Sequence, residues 1–62
     1  MNATYKAIVD FLQTNPGSGR GKIGAYVNIK PEALTKALVA LTATGLIQRK
    51  GVRRSATYEV TR

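Results

Sequence analysis

The stretch Val27–Ile47, VNIKPEALTKALVALTATGLI, decides how this chain folds. Leu34, Leu38 and Leu41 recur at i, i+4 and i+7, and Ala37 fills the same stripe. That spacing predicts an amphipathic helix. Pro31 suits its first turn, because the missing N–H of proline needs no partner there. Glu32 complements the positive end of the helix dipole. Ile29 and Leu34 stand at the two positions of a hydrophobic staple, which sets how the chain enters the helix. Gly45 is expected to end it. The reading places this helix at about residues 31–44.

Toward the N-terminus, Tyr5, Ile8 and Leu12 lie at helical spacing, with Phe11 beside Leu12. Asn2 or Thr4 can cap this segment, and Asn15-Pro16-Gly17 stops it, so a helix is predicted over residues 4–14. Ile23 and Val27 suggest a short helix over 20–27, opened by Ser18 or Gly19 and weakened by Gly21 and Gly24. Toward the C-terminus, Leu46 and Ile47 begin a strand. Ala56, Tyr58 and Val60 alternate with Thr57, Glu59 and Thr61, which predicts a second, half-buried strand. Lys50–Arg54, KGVRR, forms the bend between them. The expected class is α+β: a three-helix bundle followed by a β-hairpin at about 46–61, in a single domain over residues 1–62.

Composition narrows the function. The chain has 62 residues, neither cysteine nor histidine, and three acids: Asp10, Glu32 and Glu59. The commonest general base, the commonest zinc ligand and any disulfide are therefore missing. The acids are far apart in sequence, so paired-carboxylate chemistry would need the fold to gather them. An enzyme is not expected, nor a cofactor, a metal or a small-molecule ligand. Ten Lys and Arg give a net charge of +7, a strong field on so small a body, and polyanions are the natural partners. An anionic membrane surface fits less well. No apolar run approaches the ~20 residues of a spanning helix, and Asn2 and Thr4 after Met1 do not resemble a signal peptide. A cytoplasmic, nucleoid-associated protein is expected.

Gly19–Gly24, GRGKIG, matches the G-x-G-x-x-G fingerprint of dinucleotide-binding loops. That fingerprint needs a strand before it and an acid about 20 residues further on. A helix precedes it here, and position 44 is Thr. A P-loop fails as well, because Pro16 and Ile23 stand where Gly and Ser or Thr are required. The glycines are better read mechanically. They allow a turn in few residues, and Gly24 lets the second helix approach the third. Arg20 and Lys22, beside free N–H groups at the start of the second helix, are candidates to hold a phosphate.

The order of these features resembles the winged helix-turn-helix family of DNA-binding domains. The likeness runs from about Tyr5 to Thr61 and rests on a helix ending at Val27, the turn Asn28-Ile29, the helix from Pro31, and the Gly45-Leu46-Ile47 step into the hairpin. The family's turn glycine is Asn28 here, the non-glycine residue most at ease with positive φ. The usual small residue of the second helix is Gly24. The usual Ser or Thr cap is Lys30, which cannot accept the free N–H bonds of the helix; a DNA phosphate would satisfy those donors. The resemblance implies that the face opposite the leucines enters the major groove. On that face Thr35, Lys36, Glu32 and Val39 are the candidate base contacts. Lys36 is suited to guanine O6 and N7, Glu32 to cytosine N4, and Val39 to a thymine methyl.

The hairpin, the family's wing, carries Arg49, Lys50, Arg53 and Arg54, whose mutual repulsion a phosphate backbone or a narrow minor groove would relieve. Gln48 is a weaker candidate. The candidate phosphate contacts are thus Lys30, Arg20, Lys22, Arg49, Lys50, Arg53 and Arg54. The expected partner is double-stranded DNA, in sequence-specific transcriptional regulation. A homodimer would need a further apolar surface, for which Val9, Tyr26 and Val52 are available. Alternatives are a protein-protein adaptor, which needs a larger apolar patch than Val39, Ala40 and Ala43 offer, and a binder of RNA or of non-B-form nucleic acid. Winged domains of the left-handed-duplex type usually present Asn and Tyr from the third helix and Pro-Trp in the wing; neither set is present.

Overall fold

The leucine stripe does what its spacing requires. Leu34, Ala37, Leu38 and Leu41 are buried together with Ile8, Leu12, Ile23 and Ile47, one residue set drawn from three helices and a strand. The computed structural model describes residues 2–51 and 55–61. Helix α1 spans Ala3–Thr14, strand β1 Ser18–Gly19, helix α2 Arg20–Val27, helix α3 Pro31–Ala43, strand β2 Ile47–Lys50 and strand β3 Thr57–Val60.

Local chemistry sets the ends of each helix. The Asn2 carboxamide oxygen accepts the Thr4 N–H at 2.7 Å, capping α1. At its far end both the backbone N–H and the side-chain Nδ2 of Asn15 donate to the Phe11 carbonyl, at 2.9 and 3.0 Å. Helix α2 closes on Asn28, whose φ of 55° and ψ of 54° are left-handed, as the turn requires. Its N–H donates to the Gly24 carbonyl at 2.8 Å. Lys30 stands at the N-cap of α3 and gives the helix no side-chain cap. The other end of α3 is a Schellman motif. Gly45, at φ +82°, donates to the Thr42 carbonyl, and Leu46 donates to the Leu41 carbonyl, both at 3.1 Å.

The sheet has three strands, in the order β1-β3-β2, and is antiparallel throughout. Strand β1 is an addition to the expected hairpin. Ser18 pairs with Tyr58 and Gly19 with Thr57. Ser18 is only 6% exposed, and its hydroxyl donates to the Asn15 carbonyl at 2.7 Å, so burial leaves no unmet polar group. Two residues cannot show an alternating pattern, which is why this strand is invisible to periodicity. In the hairpin, Ile47 faces Val60, Gln48 faces Glu59, Arg49 faces Tyr58 and Lys50 faces Thr57.

Helices α2 and α3 pack closely. A Cβ added to Gly24 would lie 3.0 Å from Leu34 Cδ2, so the missing side chain sets the distance between the two helices. Ile29 packs against the core cluster to which Leu34 belongs, in keeping with the staple. The predicted helices agree with the observed ones to within one residue at each end.

Candidate nucleic-acid interface

Burying Leu34, Leu38 and Leu41 turns the opposite side of α3 to solvent. Glu32, Lys36, Val39 and Ala43 are all exposed there, and Val39 is 64% exposed. Isolated apolar side chains on a surface are ordinary, but Val39 continues into a shaped feature. With Leu38, Thr42 and Ala43 of α3, and with Arg49 and Tyr58 of the sheet, it lines a groove of about 310 Å³. The groove separates the C-terminal half of α3 from the hairpin.

Strand alternation divides the basic residues of the hairpin. Arg49 shares a sheet face with Ile47, Tyr58 and Val60, the face that packs on the core and looks toward α3. Lys50 and Gln48 belong to the other face. There both engage Glu59: Lys50 Nζ lies 3.1 Å from Oε1, and Gln48 Nε2 donates to Oε2 at 3.1 Å. Arg49 is therefore brought beside α3, while Lys50 is turned away from it and shares its charge with an acid. The sequence reading missed Glu59 as a partner. The bend read from the sequence, residues 50–54, would set position 48 opposite 56; in the structure Lys50 belongs to β2 and pairs with Thr57, which brings Gln48 opposite Glu59. Arg53, Arg54 and Val52, singled out above, lie outside the described residues, as does Arg62.

At the other end of α3, Thr35 and Arg20 come together. The Thr35 hydroxyl donates to the Pro31 carbonyl at 3.0 Å. Its oxygen accepts Nη2 of Arg20, which also approaches the Pro31 carbonyl at 3.4 Å. Lys30, at the N-cap, and Lys22, in the first turn of α2, are both exposed. Gly19, the N-cap of α2, supplies no side-chain acceptor. The candidate residues thus include the braced pair Arg20 and Thr35 with Lys30 at the N-terminal end of α3, an open face along that helix, and Arg49 across the groove. The acids take separate roles. Asp10 pairs with Lys6 on the exposed face of α1, at 2.8 Å, and holds the Lys6 ammonium pKa above its ordinary value through that hydrogen bond and its charge. Glu59 lies in the sheet and Glu32 on the polar face of α3.

Away from this region, Phe11 and Tyr26 stack with ring centroids 4.6 Å apart and planes inclined by 28°. Tyr26 is 62% exposed. A second cavity, of about 320 Å³, lies between the end of α1 and β3, lined by Leu12, Gln13, Pro16, Glu59 and Val60. It includes no residue of α3. No described helix is long and apolar enough to cross a membrane.

No protein-family model matches the sequence, and no curated protein does. Among solved structures, the chain matches the crystal structure of a MarR family transcription regulator with a TM-score of 0.87 and 26% sequence identity. The match covers 98% of this chain and 42% of the regulator. The fold is a winged helix-turn-helix. In its terms, α2 and α3 form the helix-turn-helix around Asn28, and β2 and β3 form the wing. The chain spans less than half of the regulator it matches.

Proposed function

We propose that this chain is a double-stranded DNA-binding domain that acts in sequence-specific transcriptional regulation. The observation that carries the reading is the exposed polar face of α3 standing beside Arg49 across an open groove, in a fold shared with a transcription regulator. The net charge of +7 supplies the attraction to a polyanion.

In this reading α3 enters the major groove. Lys36 donates to guanine O6 and N7, Glu32 accepts from cytosine N4, and Val39 meets a thymine methyl. Thr35 stands at the same end of the helix. The sugar–phosphate strand bordering the major groove runs along the cleft between α3 and the wing, where Ala43 and Tyr58 meet sugar carbons and Arg49 meets phosphate. Lys30 holds a further phosphate over the uncapped N–H groups of α3. Lys22, Arg20 and, on the wing, Lys50, Arg53 and Arg54 add charge along the backbone. Two copies on a two-fold site would need a further apolar surface, for which the exposed Tyr26 is a candidate.

The test is a titration of isotope-labelled protein with duplex DNA, followed by NMR. Amide shifts at Lys36, Val39 and Arg49, with Gln13 unmoved, are the expected result. Unperturbed resonances along α3 would sink the reading. Retention of a protein partner after nuclease treatment, with no response to duplex, would favour the adaptor alternative instead.

A further inference from the structure

Thr35 and Arg20 make a unit that spacing in the sequence does not reveal. A hydroxyl has a single hydrogen to donate, and that of Thr35 goes to the Pro31 carbonyl. Its oxygen is at the same time the acceptor for Arg20 Nη2. The Thr35 hydroxyl is thus engaged within the protein both as donor and as acceptor, and it holds no hydrogen for a base acceptor. Arg20 is in the opposite position. Its Nη1 and Nε keep N–H groups with no partner among the described residues. A guanidinium is planar and rigid, so anchoring one nitrogen sets the direction of the others.

The location matters as much as the bonds. Arg20 begins α2, yet its head group stands over the second turn of α3, at the flank of the face that carries Glu32, Lys36 and Val39. The N-terminal part of a recognition helix is where base edges are met. A guanidinium can fork onto a phosphate as well, but the charge attraction that supplies most of that contact tolerates more orientations. Hydrogen bonds to a base edge are directional, and a braced donor has less freedom to lose on binding.

We propose that Arg20 reads a base edge, donating from its outward Nη1 to a single acceptor such as guanine O6 or N7, since Nη2 is held by Thr35, and that Thr35 is a positioning residue that acts through Arg20. This rests on the DNA-binding reading above. It moves direct readout from the Thr35 hydroxyl to Arg20, which it takes out of the backbone contacts assigned above, and it makes recognition depend on how α2 and α3 are held together.

The experiment uses a duplex library with a randomised central segment. The chain first selects its preferred sequences. Affinities are then measured for the best duplex and its single-base variants, with folding of each variant checked by circular dichroism. Arg20→Ala should abolish a guanine preference at one position, on the order of tenfold. Thr35→Val should weaken that same preference and no other, and Thr35→Ser should restore it. Adding Thr35→Val to Arg20→Ala should change nothing further, because the two act as one. Arg20→Lys, which keeps the charge but not the planar fork, should lose the preference while retaining most of the affinity, and it serves where Arg20→Ala does not fold. An even loss of affinity across all duplexes in Arg20→Ala, with preference intact, would assign Arg20 to phosphate and overturn the proposal. So would an unchanged preference in Thr35→Val, or additive effects in the double variant. Failure of the unaltered chain to bind any duplex overturns the DNA-binding reading itself, and is seen before any variant is made.

Discussion

At Asn28 the backbone turns left-handed between α2 and α3, with φ 55°. Asparagine tolerates this region, glycine more easily still, and a β-branched side chain does not. Asn28→Gly should therefore leave the urea midpoint nearly unchanged, whereas Asn28→Val should lower stability by about 1–3 kcal/mol. Equal midpoints for the two variants would mean that the turn conformation is not under this constraint. Lys36 poses a different question at the same scale. It is exposed, with no intramolecular ion pair among the described residues, so its removal should not disturb the fold. Lys36→Ala is expected to lower discrimination by ~1–3 kcal/mol at a single base pair while keeping the thermal midpoint. Competition binding with single-base variants of a selected duplex measures this.

Among the elements, α3 carries both the core and the proposed recognition face. Leu38 is buried in a core assembled from few large side chains. Leu38→Ala should cost ~2–5 kcal/mol, enough to unfold most of the population of so small a domain. A cooperative thermal transition persisting near its original midpoint would contradict that packing. The wing supports a comparison that its sequence alone does not suggest. Arg49 faces α3, whereas Lys50 faces away and lies 3.1 Å from a Glu59 oxygen. Arg49→Ala should weaken duplex binding more than Lys50→Ala does, as measured by titration at a fixed salt concentration. Equal losses would show that strand face does not govern access to the duplex. The boundaries of α1, α2 and α3 were legible in the sequence because each has a chemical stop: Asn-Pro-Gly, the left-handed Asn28, and Gly45 closing a Schellman motif. Strand β1 was not legible, since Ser18 and Gly19 are strand residues only by virtue of their bonding to β3.

For the molecule as a whole, the governing quantity is charge. A net +7 on 62 residues makes affinity for a polyanion depend steeply on salt. If about five phosphates are neutralised, log affinity should fall against log salt with a slope near −4.5. Titrations over a range of sodium chloride concentrations test this, and a slope near zero would exclude backbone contacts as the main source of affinity. What the amino-acid order determined without help was short-range: helical spacing, stop signals, the strand alternation, and the excess of cations. Each depends on neighbours within a few positions, where periodicity and turn chemistry act directly. Which cations share a surface was decided only by the tertiary structure. Alternation puts Arg49 and Lys50 on opposite sheet faces, but that the Arg49 face is the one turned toward α3 comes from packing, and Arg20 and Thr35 meet although separated by an entire helix and a turn. These relations follow from how the helices and the sheet pack around Leu34, Leu38 and Ile47, a long-range outcome that no local pattern encodes.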